Sequence, residues 1–230
     1  MVEILKVLVG SRAHGIFDED SDYDYRAVFI EPTSQHLKIG GKVKNTSWIE
    51  GDNDNTAWEI GHFLQLATRC NPTILEVFHA EVIPKTLLNT EYGKLVGIHS
   101  TGAELKELFP LIWNTKDVVN SHIRYGLNQR KKFLEDKDGR KSKYACAYLR
   151  TLYQAYRLLT KNDYPVSMVD TPVYDTLVRY RAGDYEYGEV IDTCLHWQKK
   201  IENLEAARCQ KETDIDAVNK FLLQVRRDNW

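Results

Sequence analysis

Gly10-Ser11-Arg12-Ala13-His14-Gly15, and then Ser21-Asp22-Tyr23-Asp24-Tyr25-Arg26, is the stretch whose reading decides the fold. It follows Ile4 to Val9, an apolar, branched run suited to a buried strand. A strand entering a Gly-Ser turn brings backbone N–H groups close to a phosphate with no Cβ in the way. The Ser11 hydroxyl can bond a terminal phosphate. Asp22 and Asp24 stand two apart at the start of a second strand candidate, Tyr25 to Ile30, which Pro32 stops. A two-residue period places both carboxylates on one face and Tyr23 on the other. Two carboxylates beside a phosphate-binding turn suit Mg²⁺ held between protein and nucleotide phosphates. A third carboxylate on a neighbouring strand would complete a two-metal site.

Working outward, Asn55 to Trp58 is a short strand candidate, and Ile60, Phe63, Leu64 and Ala67 repeat at helical spacing over Ile60 to Thr68. Asn71-Pro72 is a helix start, with Asn as N-cap and Pro at the first helical position, for a helix over Thr73 to His79. From Gly102 the pattern is mostly helical: Val118 to Leu134, Tyr144 to Leu159, Val173 to Arg181, Tyr187 to Arg208 and Thr213 to Val225. The expectation is an α/β (α+β) core with a mixed sheet over residues 1–100 and an all-helical domain over 101–230.

The 230 residues carry a net charge of −2, which excludes a uniformly basic nucleic-acid binder but hides an asymmetry. Residues 1–60 hold eleven Asp and Glu against six Lys and Arg, whereas 121–161 hold eleven Lys and Arg against three acids. Such a division lets acids hold cations while bases receive a triphosphate or a nucleic-acid backbone. Solvated faces are the plainer reading. No apolar run is long enough to cross a membrane, so no membrane partner is expected. The N-terminal stretch reads as a strand rather than a signal peptide. Cys70, Cys146, Cys194 and Cys209 form no CxxC pair, which points away from a disulfide framework or structural zinc and toward a reducing cytoplasm.

Gly-Ser followed by Asp-x-Asp resembles the signature of the DNA polymerase beta-like nucleotidyltransferases. The fuller form GSRAHG…SDYDYR is similar to a bacterial and phage branch that includes enzymes linked to RNA repair. Asp54 to Phe63, Cys70-Asn71-Pro72-Thr73 through Glu76, Tyr125-Gly126 with Gln129, and then Lys143 and Arg150 also resemble that branch, over roughly residues 4 to 160. The resemblance implies transfer of a nucleoside monophosphate from an NTP to an acceptor hydroxyl, with two Mg²⁺ (or Mn²⁺) ions, in the cytoplasm of a bacterial cell or phage-infected host. It implies Asp22 and Asp24 as catalytic metal ligands, with Asp54 as the third and Glu59 as the alternative. Gly10, Ser11 and Arg12 would bind the triphosphate, assisted by Lys143 and Arg150.

Other readings stay open at this point. Glu59 also suits a helix N-terminus, and Glu76 either faces the site or steadies its short helix. His14 is read as a nucleotide contact or a loop-shaping residue. Lys143, Ala147 and Arg150 share one helical face, and Tyr125 and Gln129 share another. The acceptor is expected to be an RNA 3′ end, such as a damaged tRNA. A protein side chain, a small molecule, or a non-catalytic nucleotide- or RNA-binding module are the alternatives. Oligomeric state is not legible.

Overall fold

The computed structural model describes residues 1–48, 55–83, 99–207 and 210–230. In chain order these form β1 (Val2–Val9), α1 (Gly10–His14), β2 (Asp24–Ile30), α2 (Thr33–Leu37), β3 (Thr46–Trp48), β4 (Thr56–Glu59), α3 (Ile60–Thr68), α4 (Pro72–His79), α5 (Ser100–Glu107) and α6 (Phe109–Ile112). Then come α7 (Thr115–Glu135), α8 (Lys141–Lys161), α9 (Tyr174–Ala182), α10 (Tyr187–Ala207) and α11 (Ile215–Asp228). The architecture is a mixed sheet with helices, followed by a helical region.

The sheet order is β1-β2-β4-β3. β2 pairs antiparallel with β1 and parallel with β4, and β3 runs antiparallel to β4. β2 is flanked at its edges by β1 and β4, and Ala27 to Ile30 are all buried, so both of its faces are covered there. Val28, Ile30 and Trp58 join the main core, whereas Ala27, Phe29 and Ala57 form a small cluster of their own. The alternation of these two sets fixes which face each neighbouring side chain takes.

Local chemistry sets the helix starts. The Asn71 side chain accepts a hydrogen bond from Thr73 N–H at 3.0 Å, with Pro72 in the first turn, as the sequence predicts. Asn114 accepts from Asp117 N–H at 2.7 Å and donates to Thr213 Oγ1 at 3.1 Å, tying the start of α7 to the approach to α11. α7 and α8 pack closely where Gly126 faces Tyr148: a Cβ there would lie 2.9 Å from the ring. Glycine in a helix interior costs about 1 kcal/mol relative to alanine. Here the close crossing requires it.

One buried apolar cluster runs from Ile4 in β1 through Tyr148 in α8 to Val225 in α11. The C-terminal helix returns to the sheet half, where Thr33 N–H donates to Asn229 O at 2.7 Å and Arg226 pairs with Glu59 at 2.7 Å. Two expectations needed amendment. The expected Gly-Ser phosphate-binding turn is the start of the five-residue α1, ended by Gly15 in the left-handed conformation. The second strand starts at Asp24, so Asp22 precedes it rather than lying in it. The short β3 and α2 fall in a polar region with no periodic signal.

Candidate active site

Strand β1 delivers the chain into α1 at Gly10, whose φ of +76° is left-handed. A Cβ built there would lie 2.0 Å from Asp24 Oδ2. Register explains the proximity, since Val9 is the residue opposite Asp24 in the β1–β2 pair. Glycine is therefore required twice at this position, by backbone conformation and by the carboxylate beside it. Asp24 is half-buried and Asp22 is exposed.

These residues line a cleft of about 450 Å³. Gly10, Ser11, Asp18, Asp20, Asp22, Asp24 and Arg26 come from the sheet half. Thr73 and Glu76 come from α4, Tyr125, Gln129 and Lys132 from α7, Lys143, Ala147 and Arg150 from α8, and Arg181 from α9. An acid-rich wall thus faces a cation-rich wall, as the charge asymmetry along the chain suggested. Such a cleft suits an anionic ligand that carries its own cations.

Behind Ser11 lies a buried charged cluster. His14 Nε2 is 2.5 Å from Glu76 Oε1, and Arg150 Nη1 is 3.5 Å from Glu76 Oε2 and 3.1 Å from Gln154 Oε1. Burial, and then Arg150, push the imidazole below its usual pKa, with Glu76 pulling the other way. Burial would raise the Glu76 carboxyl, yet His14 and Arg150 outweigh it and hold it below the usual carboxylate range. We read a carboxylate beside a neutral imidazole that donates Nε2–H, because the Arg150 cation already balances the buried charge. His14 therefore shapes α1, and its carbonyl also accepts from Met168 N–H at 3.0 Å.

The loop between α1 and β2 is braced rather than free. Asp18 accepts from Ser21 at 2.6 Å and from Arg181 at 2.7 Å, which pins the loop to α9. Arg12, expected on the triphosphate, is not part of the cleft lining. Its Nε donates to Ser21 O at 2.8 Å, and its guanidinium sits 4.2 Å from the Tyr23 ring centroid and 5.1 Å from that of Phe17. With those partners it holds the acidic loop in shape.

The two choices for the third acid part company. Glu59 lies opposite Phe29 in the parallel β2–β4 pair, one position out of phase with Asp24 and Arg26, so it takes the other face of the sheet. There it is 2% exposed, accepts from Gly61 N–H at 2.7 Å as the cap of α3, and neighbours Arg226 and His36. Asp54 lies outside the described residues. Among the described residues no group of three His, Cys, Asp or Glu side chains is placed to hold a metal ion. Cys70, Cys146 and Cys194 are buried free thiols, and no described helix is long and apolar enough to cross a membrane.

Sequence reasoning gave no site role to Asp18, Asp20, Arg26, Lys132, Arg140 and Arg181, and read Lys132 as a surface cation, yet all six line the cleft. Only the density of acids between residues 18 and 24, and of bases between 130 and 143, hinted at them. No curated protein and no solved structure matches the chain. A family model does, over residues 2–224, which carries the likeness past residue 160, where the quoted motifs end, and into α11. A match of that span, on a chain built around Gly10-Ser11 and Asp22-x-Asp24, makes this protein a member of RlaP, the RNA repair pathway DNA polymerase beta family.

Proposed function

We propose that the chain transfers a nucleoside monophosphate from an NTP to a hydroxyl at an RNA 3′ end, releasing pyrophosphate, with divalent metal. The observation that carries this reading is the juxtaposition of Gly10, Ser11, Asp22 and Asp24 with Arg150 in one cleft. The donor set fits the metal: carboxylate and hydroxyl oxygens are what Mg²⁺ or Mn²⁺ takes, and the space beside Asp24 is kept open by the absence of a Cβ at Gly10. Asp22 and Asp24 would hold the ions. When bound, the two cations neutralise phosphate charge and lower the pKa of the acceptor hydroxyl.

The protein groups bind and orient. Ser11 and the α1 backbone contact the terminal phosphates, while Arg150, fixed by Glu76 and Gln154, neutralises them. The acceptor oxygen bonds to the α-phosphorus as the bond from that phosphorus to the pyrophosphate oxygen breaks. The hydroxyl proton passes to a carboxylate, for which we propose Asp54. Asp54 precedes Thr56 by the same two residues by which Asp24 precedes Arg26, the partner of Thr56. Bound NTP and an RNA end are thus the proposed partners. The test is incubation with each α-labelled NTP, Mg²⁺ and total RNA: label on RNA 3′ ends supports the reading, and label on protein or small molecules replaces the acceptor.

A further inference from the structure

We propose that the tip of the α7–α8 hairpin is a binding track for a single-stranded RNA backbone, separate from the triphosphate end of the cleft and built from Lys132, Arg140 and Lys143. The inference rests on the proposed RNA acceptor and says where that acceptor lies.

Six cations near the hairpin tip fall into two sets. Lys131 and Lys137 pair with Glu135 at 3.9 and 3.3 Å, and Lys141 pairs with Asp136 at 3.0 Å. None of these three lines the cleft. Lys132, Arg140 and Lys143 do line it, and none of them has an ion pair among the described residues. Of these six cations, the three that face the cavity are the three with no carboxylate in ion-pair contact. The Tyr144 ring lies among them, in the cleft lining, with Lys132 Nζ 5.4 Å from its centroid. Its hydroxyl donates to Asp138, which holds the ring in place.

Depth separates this set from Arg150. Arg150 is 9% exposed and bound to Glu76, whereas Lys132, Arg140 and Lys143 are exposed. A buried guanidinium suits one compact, highly charged group that excludes water. Exposed cations in series suit a polymer whose phosphates exchange counterions for lysines. Across the mouth, Asp18, Asp20 and Asp22 repel a backbone, which confines it to the hairpin side. An aromatic ring within the cationic set offers a face on which an unpaired base stacks.

The test measures binding of a labelled single-stranded RNA oligonucleotide, and separately of each NTP, across a salt series. It compares wild type with the triple variant Lys132→Gln, Arg140→Gln, Lys143→Gln. The control is Lys131→Gln, Lys137→Gln, Lys141→Gln, which removes the same charge from the outer face. For three phosphate contacts the log–log salt slope should fall by about 2 in the first variant, at about 0.7 per contact for single strands. NTP affinity should stay within about twofold, and the control should keep the wild-type slope. Tyr144→Leu should weaken RNA binding about tenfold. Equal loss of slope in both triple variants overturns the track, since net charge then explains the effect. A parallel fall in NTP affinity assigns the three cations to the triphosphate and also overturns it. If wild type labels RNA but the inner variant binds RNA unchanged, the track fails while the acceptor stands. If wild type neither binds nor labels RNA, the acceptor reading fails and the track with it.

Discussion

Replacing Gly10 with alanine tests the joint between the phosphate-binding segment and the acids. The new Cβ would lie 2.0 Å from Asp24 Oδ2 and 2.9 Å from its carboxyl carbon, far inside contact distance. At φ +76° the methyl adds about 1–2 kcal/mol of left-handed backbone strain. Displacing the carboxylate adds about 1–3 kcal/mol of overpacking. The sum, about 2–5 kcal/mol, corresponds to a fall in Tm of roughly 5–15 °C for a chain of this length. Gly15→Ala is the matched control: φ is +72° and its Cβ would meet Val169 Cγ2 at 2.5 Å, with no cleft acid involved. Thermal melts and nucleotidyl transfer at a temperature where both variants are folded separate the effects. Comparable destabilisation is expected, but Gly10→Ala should lose about a hundredfold or more in kcat, because a shift of about 1 Å in a reacting group costs that much. A folded Gly10→Ala enzyme with near wild-type kcat would refute the placement of Asp24 against Gly10 as a functional contact.

Asp54→Asn should cost more turnover than Glu59→Gln, while Glu59→Gln should lose about 3 kcal/mol of stability by breaking a buried pair with Arg226; parallel kinetics and denaturation curves decide, and the reverse order transfers the catalytic role to Glu59. Arg150→Ala should weaken NTP binding roughly ten- to hundredfold, the equivalent of about 1.5–3 kcal/mol for charge-assisted bonds, measured by calorimetry whether or not acceptor is present. Stability should fall with acid: burial pushes His122 down to about 4 from an unfolded value near 6.5, so below 6.5 the unfolded chain takes up a proton that the folded chain refuses. From pH 7 to 4.5 this one group removes roughly 2 kcal/mol, and urea midpoints for His122→Gln should show a shallower acid slope than wild type.

The parts of the fold carried by short-range signals were legible. Ile60, Phe63, Leu64 and Ala67 mark α3 at its observed bounds, and Asn71-Pro72 caps α4, because periodicity and capping act within a few residues. The Gly-Ser stretch was read as a phosphate-binding turn, yet Gly10 opens the five-residue α1 and the turn-forming role falls to Gly15. β3 is three residues long, too short for any period to register. In the site, the order Gly-Ser then Asp-x-Asp was readable because the β1–β2 register sets Val9 opposite Asp24 and so brings Gly10 beside it, with Asp22 just ahead of the strand. The pairing of His14 with Glu76 spans 62 positions and was not. Nor was the face taken by Glu59, which depends on its partner being Phe29. Arg12 is instructive in another way: the resemblance implied a phosphate contact, while Phe17 and Tyr23, five and eleven residues further on, were the available sign of a braced loop.

The most direct measurement is release of pyrophosphate and labelling of RNA from α-labelled NTP, with and without Mg²⁺, by wild type, Asp22→Ala and Asp24→Ala proteins whose melting is checked in parallel. Both carboxylates line the cleft, Asp22 exposed and Asp24 half-buried. The expected result is metal-dependent transfer by wild type and loss of at least about a thousandfold in each variant, with the fold retained at the assay temperature, in line with removing the groups that hold the metal. Near wild-type turnover by either folded variant would contradict a nucleotidyltransferase centre built on these two acids.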